Sequence, residues 1–177
     1  MTNFAALWDQ ALPFQEFVAA SEKQKGLWEG LHHIAVVPDW AIAAVPLGAK
    51  RKLLVLAEHW CGDASSSIPV VERLVEAVPG FELRILRRDE HPEVMDRYLT
   101  NGSRSIPIVI VLDESFNELG HWGPRPSVLQ SWVMANRLII PKAELYPQVR
   151  SWYARDRGES ILREILAAAG FTVAKVA

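Results

Sequence analysis

The chain of 177 residues is long enough for one domain with a sizeable core, and 50% hydrophobic with 23% charged residues is typical of folded globular proteins. A net charge of −2 without a long basic run argues against nucleic acid as a partner. The apolar runs are far shorter than the ~20 residues of a membrane helix, and Asp9 and Glu16 stand where a signal peptide would be basic and then apolar, so we expect a cytoplasmic protein without membrane contact.

The first fifty residues combine loops with apolar residues at helical spacing, which predicts an N-terminal helical extension. The predicted helices cover residues 3–10, 13–20 and 22–32. From residue 51 onward, short apolar runs alternate with helical ones. We therefore expect a single domain with its core at about 51–138, flanked by this extension (1–50) and by a C-terminal helical extension (139–177).

Strands and helices alternate through the predicted core. Short runs that are apolar or alternate in polarity predict strands over residues 52–58, 81–86, 106–112 and 118–122. Helical spacing predicts helices over 65–78, 91–99 and 127–138, and then a long helical stretch over 142–169 with Pro147 and Gly158 as candidate interruptions. This order predicts an α/β fold in which a parallel part of the sheet is closed by an antiparallel hairpin, with helices on both faces.

Cys61 is the single cysteine, and it lies between a predicted strand and a predicted helix. A cysteine at a helix N-terminus faces unpaired backbone N–H groups and the positive end of the helix dipole, so we expect its pKa to be below that of a free cysteine. The charge of Asp63 opposes this ionisation, although an acid in the first turn also suits the helix dipole. The alternative is that Cys61 is a small buried apolar residue.

Four features in chain order resemble the thioredoxin family. The run Trp60-Cys61-Gly62-Asp63-Ala64 resembles the W-C-G-P-C site, and Ile106-Pro107 resembles the cis-proline that precedes a strand in that family. Pro69 resembles the proline that kinks the active-site helix, and Gly123 resembles a groove-lining glycine. More narrowly, the runs E-x-W-C-G-D-A, R-S-I-P and W-G-P-R-P resemble a bacterial thioredoxin-like family whose members often lack the second cysteine.

The resemblance implies a thioredoxin-like fold with Cys61 as the catalytic residue of a substrate groove. The implied groove residues are Trp60, Gly62, Asp63, Ile106, Pro107 and Gly123. Core packing is the alternative for Trp60. Arg125 could offer a charge to the groove, but we expect it to be a solvated loop residue. Because Ala64 replaces the second thiol that would resolve a mixed disulfide, an external thiol is needed. The expected function is monothiol thiol–disulfide exchange with protein thiols or disulfides, or with a low-molecular-weight thiol, and without a cofactor.

Two other functions remain open. In the first, the groove is a non-catalytic module that binds peptides or proteins, and the thiol is incidental. In the second, a glutaredoxin-like site uses glutathione to ligate an iron–sulfur cluster, although no glutathione-binding residues are evident. The five histidines show no metal-ligand spacing, so no metal site is expected, and no phosphate-binding glycine run supports a nucleotide cofactor. His59 is expected to point away from Cys61, because neighbours on a strand face opposite sides.

Overall fold

A computed structural model describes residues 2–173 and contains a five-stranded mixed sheet. The strands are β1 (Leu12–Pro13), β2 (Arg51–Ala57), β3 (Phe81–Arg87), β4 (Ile108–Leu112) and β5 (Glu118–Trp122), in the spatial order β1-β3-β2-β4-β5. β2 and β3 are parallel, whereas the other neighbouring pairs are antiparallel. The predicted α/β class, with a parallel pair closed by the hairpin of β4 and β5, is confirmed.

The helices come from both termini and from the connections between strands. They are α1 (Phe4–Gln10), α2 (Phe14–Ala19), α3 (Lys25–Ile34), α4 (Asp39–Ala43), α5 (Gly62–Ala77), α6 (Pro92–Met95), α7 (Ser127–Asn136), α8 (Lys142–Asp156) and α9 (Glu159–Ala168). A 3-10 turn, Arg88–Glu90, precedes α6. Among residues 2–173, no helix combines the length and the apolar content needed to cross a bilayer.

Several boundaries differ from the sequence prediction by a few residues, and three of these differences have a clear physical or structural context. The helix predicted over 13–20 begins at Phe14, because Leu12 and Pro13 pair with β3 as a short edge strand. The strand predicted from residue 106 begins at Ile108; Pro107 has no N–H to donate to a ladder. The helix predicted over 91–99 ends at Met95, ahead of a turn closed by a bridge between Thr100 and Ser103. The short helix α4 was not predicted.

The predicted C-terminal helical stretch is divided at one of its two candidate interruptions. Pro147 lies inside α8 without ending it. Gly158 separates α8 from α9, and its φ of +83° is in the left-handed region that glycine adopts without steric cost. A Cβ at this position would also lie 2.6 Å from Cγ1 of Val70 on α5, so the link between α8 and α9 packs closely on that helix.

Cys61 follows β2, a central strand of the sheet whose side chains are buried on both faces. In β2, residues 53–57 are all buried, and in β4 every residue is buried. Because consecutive strand residues point to opposite faces, both faces of the sheet are covered along these two central strands. The chain passes from the carboxyl end of β2 into α5 through residues 58–61, and α5 packs against α3, α8 and α9. The N-terminus of α5 therefore lies where terminal helices from both ends of the chain can reach it.

Trp28 attaches α3 to the loop that carries Cys61. Its side chain is fully buried, and its indole Nε1 donates a hydrogen bond to the backbone oxygen of His59 at 3.1 Å. The ring also packs edge-on against Phe17, with the two ring centroids 5.4 Å apart. One side chain thus joins α2, α3 and the segment between β2 and α5.

Replacing Trp28 by phenylalanine should therefore destabilise the protein while keeping most of the aromatic packing. We expect the free energy of unfolding to fall by about 1–2 kcal/mol, because the His59 carbonyl loses its buried donor and a small void remains. Urea denaturation followed by circular dichroism measures this change. The matched control is Trp132→Phe on α7, where the indole is half-buried and its N–H has no partner among the residues that the structure describes. Equal losses in the two variants would contradict the assigned role of the hydrogen bond.

Candidate active site

Cys61 is the N-cap residue of α5 and has two hydrogen-bond partners. Its backbone is extended, with φ −78° and ψ 115°, and its Sγ accepts a hydrogen bond from the backbone N–H of Ala64 at 3.4 Å. The thiol donates to the backbone oxygen of Ile106, also at 3.4 Å. The neutral thiol is therefore satisfied both as donor and as acceptor.

The pKa of the Cys61 thiol is raised from 9.0 to about 11, so the expected lowering is wrong. Burial is the main cause, because only 8% of the residue is exposed and the thiolate loses its hydration. The backbone N–H of Ala64 acts in the opposite direction, and the negative charge of Asp63 adds to the rise. Desolvation therefore exceeds the stabilisation of the thiolate that the start of a helix provides.

Asp63 is neutralised by residues from two distant segments. Arg125, which follows β5, donates Nε–H to Oδ1 of Asp63 at 2.9 Å, and its Nη2 lies 2.6 Å from Oδ2. The hydroxyl of Tyr153 on α8 donates to Oδ1 at 3.0 Å. Asp63 does lie in the first turn of α5, as expected, but the expectation that Arg125 is solvated is wrong. The guanidinium also donates to Gln130, and its buried carboxylate partner explains why it leaves solvent.

Sequence reasoning did not identify Tyr153 as part of the site. It lies 90 residues from Asp63, in a stretch that showed only helical spacing. Burial, then the charge of Asp63, raises the pKa of Tyr153 above its ordinary value, so the hydroxyl stays protonated and donates. For Arg125, the charged residue in the W-G-P-R-P run was a usable signal. Nothing in the sequence indicated which carboxylate it would meet.

The backbone of Ile106 and Pro107 approaches Cys61 on one side and Gly123 on the other. The peptide bond between Ile106 and Pro107 is cis, as expected, and so is the bond between Gly123 and Pro124. Gly123 has φ +128°, and a Cβ there would lie 2.1 Å from the backbone oxygen of Pro107. Gly123 therefore allows two backbone segments to pack in direct contact.

The side chains of Trp60 and His59, in the loop before α5, have different surroundings. Trp60 is 56% exposed, and the guanidinium carbon of Arg88 lies 5.1 Å from the centroid of its ring, so the core-packing alternative does not hold. His59 donates from Nε2 to the backbone oxygen of Phe17 at 2.7 Å, and its ring packs against the Phe17 ring at an angle of 37°. This arrangement agrees with the expectation that His59 does not serve Cys61 as a base.

A cavity of about 1380 Å³ opens beside Cys61. Five of the predicted site residues line it: Trp60, Cys61, Gly62, Asp63 and Ile106. Pro107 and Gly123 are not part of its lining. Further lining residues come from α3 and from α8, which the sequence had only identified as terminal extensions. Among residues 2–173, no group of three or more His, Cys, Asp or Glu side chains is arranged to hold a metal ion.

A sequence profile described as Thioredoxin matches residues 11–143, about three quarters of the chain. The chain belongs to the thioredoxin family. The match reaches beyond the predicted core at 51–138 and includes most of the N-terminal helices. A search of curated proteins finds no significant match.

Two solved structures resemble this thioredoxin-family chain over nearly its whole length. One is a protein of unknown function from Pseudomonas aeruginosa, with a TM-score of 0.75, 22% sequence identity, and coverage of 96% of this chain and 98% of that chain. The other is an HIV epitope-scaffold, with a TM-score of 0.73, 21% identity and the same coverage. At such identities the likeness supports the thioredoxin-like fold and nothing finer.

Replacing Asp63 by asparagine should make Cys61 more reactive. The variant removes a negative charge that raises the pKa of the thiol and leaves the positive charge of Arg125, which lowers it. We expect iodoacetamide to alkylate Cys61 about threefold faster at pH 8 than in the parent protein, whose alkylation rate should keep rising toward pH 11. Mass spectrometry over a pH series measures this rate.

Asp96→Asn is the matched control, because Asp96 is an exposed carboxylate paired with Arg104 and does not influence the Cys61 pKa. Near-UV circular dichroism must show that both variants keep their tertiary structure. An unchanged pH profile in folded Asp63→Asn would contradict the assigned electrostatics.

Replacing Gly123 by alanine should destabilise the fold, whereas the same change at Gly62 should not. The Cβ at position 123 would collide with the Pro107 oxygen at a backbone conformation that side chains disfavour, and we expect a loss of about 2–4 kcal/mol. At Gly62 no atom lies within 4 Å of an added Cβ, so alanine should be neutral or stabilise α5 by up to about 1 kcal/mol. Thermal and urea denaturation compare the two variants, and similar losses would contradict the close contact.

Proposed function

We propose that this thioredoxin-family protein performs thiol–disulfide exchange through Cys61 and forms mixed disulfides that an external thiol resolves. The observation that carries the proposal is the position of Sγ. It lies at the N-cap of α5, beside the Ile106 carbonyl and in the wall of an open cavity. A ligand in that cavity would lie beside the residue that carries the sulfur.

The exchange has two balanced steps. The Cys61 thiolate attacks one sulfur of a disulfide, forms a new S–S bond, and releases the other sulfur as a thiolate. An external thiolate then attacks the sulfur of the ligand, restores the Cys61 thiolate, and leaves as a disulfide with that ligand. The chain has one cysteine, and Ala64 stands at the position of a resolving thiol, so the second step needs an outside partner.

The raised pKa makes this exchange slow at neutral pH. A rise of two pKa units lowers the thiolate population about 100-fold, while the stronger intrinsic nucleophilicity of the more basic sulfur recovers about six- to tenfold. The net effect is attack about tenfold slower than that of an unperturbed cysteine. Selectivity in this site therefore depends on what the cavity binds, because the thiol by itself is a weak nucleophile.

A non-catalytic peptide-binding or protein-binding module is the second candidate. The observation that favours it is the state of Cys61, which is buried, protonated at neutral pH and hydrogen-bonded both to Ile106 and to Ala64. In that function the cavity binds its partner without covalent contact, and serine in place of Cys61 would serve equally well.

The setting that we propose follows from the sequence. A lone cysteine without a disulfide suits a reducing compartment, and we propose a bacterial cytoplasm. The partners would be protein thiols or disulfides, or a low-molecular-weight thiol. We propose that the protein is a single domain and uses no metal or cofactor.

The test compares the parent protein with Cys61→Ser and Ala64→Cys. At pH 8.5 with excess hydroxyethyl disulfide, the parent should gain one adduct by intact mass spectrometry, and added dithiothreitol should remove it. Ala64→Cys should instead release the adduct by forming an internal disulfide between positions 61 and 64. Unfolded parent protein is the positive control for the reagent.

Absence of an adduct on the folded parent protein, while the unfolded protein reacts, would contradict thiol exchange. Partner capture from extract separates the two candidates. Partners that are held only by Cys61 and released by reductant support exchange. Identical partners on Cys61→Ser support the binding module.

A further inference from the structure

The cavity beside Cys61 has an apolar wall that is open to solvent. This wall comes from α3 and the segment after it, where Leu27, Ile34 and Val36 are 49%, 68% and 71% exposed. Trp60 continues the wall toward Cys61. These exposed apolar side chains adjoin one another in a single cavity, which is typical of a surface that binds a ligand rather than of scattered surface residues.

The other wall comes from α8 and carries aromatic and basic side chains in one stripe. Tyr146, Arg150, Tyr153 and Arg157 follow one another at intervals of four, three and four residues, and all four line the cavity. Tyr153, which lies between Arg150 and Arg157 in this stripe, donates a hydrogen bond to Asp63 at the start of α5. The two arginines therefore lie on either side of the contact with α5. Arg157 is the C-cap residue of α8, with a left-handed φ of +53°, and it follows Arg150 by seven residues, which is about 10 Å along the helix axis.

The two arginines of this stripe have unneutralised charges. The other three arginines of the lining each pair with a carboxylate: Arg88 with Asp89, Arg104 with Asp96, and Arg125 with Asp63. Arg150 and Arg157 are exposed, and their side chains have no ion-pair or hydrogen-bond partner within residues 2–173.

The carboxylates of the lining cancel only part of these two charges. Asp63 pairs with Arg125 and Glu159 pairs with Arg163, whereas Asp156 accepts hydrogen bonds from Ser160 and keeps its negative charge, so the two arginines still outnumber it. The cavity is thus locally basic in a chain whose net charge is −2.

We propose that this cavity selects acidic peptide segments that carry a cysteine, with carboxylates on Arg150 and Arg157 and an apolar side chain on the α3 wall. The inference rests on the proposed function for its covalent step, in which the cysteine of the segment meets Cys61. In an extended peptide, acidic residues two positions apart face the same side and lie about 7 Å from each other, and the long side chains of Arg150 and Arg157 can converge on them from positions about 10 Å apart. The positive charges of Arg150 and Arg157 attract acidic segments and repel basic ones.

The test measures non-covalent binding, so that it does not depend on exchange. Two labelled peptides carry serine in place of cysteine, with the sequences Ile-Asp-Ser-Asp-Gly and Ile-Asn-Ser-Asn-Gly, and fluorescence anisotropy gives their affinities for the full chain. We expect the acidic peptide to bind about tenfold more tightly at low salt, from two exposed ion pairs of ordinary strength. This preference should shrink at 0.5 M salt, because screening weakens exposed pairs.

The variant Arg150→Gln/Arg157→Gln should lose the preference for the acidic peptide. Arg155→Gln is the matched control, since this arginine is exposed on the same helix, bonds only to Ser151, and does not line the cavity. It should keep the full preference. All three arginines are exposed, so both variants should fold.

Equal affinity for the two peptides, no binding of either, or an equal loss in Arg155→Gln would overturn the inference. Complete displacement of the acidic peptide by millimolar glutathione would also overturn it and assign the arginines to a small acidic thiol. If the acidic preference holds while Cys61 forms no adduct with hydroxyethyl disulfide, acid selectivity is supported and thiol exchange is contradicted.

Discussion

The buried charge of Asp63 is the constraint on which the rest of the site depends. Its carboxylate lies at the start of α5, with 8% of the residue exposed, and two N–H groups of Arg125 and the hydroxyl of Tyr153 satisfy it. An unpaired buried carboxylate would cost several kcal/mol, whereas a paired one with all its oxygens bonded can be close to neutral. Because Asp63 and its two partners come from three segments, satisfying this one charge fixes the relative positions of α5, the chain after β5, and α8.

The same arrangement determines the chemistry of Cys61. Packing that encloses the ion pair also removes water from the sulfur, and the charge of Asp63 lies close enough to oppose ionisation. The start of α5 still provides an N–H for the sulfur, but this contribution is smaller than the loss of hydration. A lone cysteine in a thioredoxin-like site is thus held as a hydrogen-bonded thiol. The proposed exchange would therefore begin with loss of a proton that the resting site retains.

The terminal helices are part of the site and not merely attached to it. α8 supplies Tyr153 to the charge network and one wall of the cavity, and α3 supplies the other wall. Trp28 ties α3 to the loop before Cys61 through a hydrogen bond to His59. The proposed thiol exchange and the proposed acid selectivity are linked, because the weakly nucleophilic Cys61 lies beside the cavity that would bind the acidic segment. Binding in the cavity would decide which sulfur meets Cys61, and the arginines of α8 would decide which segments bind.

The sequence by itself determined the elements and the chemical identity of the site. Periodicity located β2, α5, β3 and the β4–β5 hairpin to within a few residues, and the run around Cys61 identified the family, because these signals are local. Local patterns also placed Cys61 at a helix start. Only the tertiary structure decided the sign of its pKa shift, the pairing of Arg125 with Asp63 and the role of Tyr153. The physical reason is that desolvation and ion pairing depend on which distant segments exclude water from a group, and a single sequence does not show those contacts.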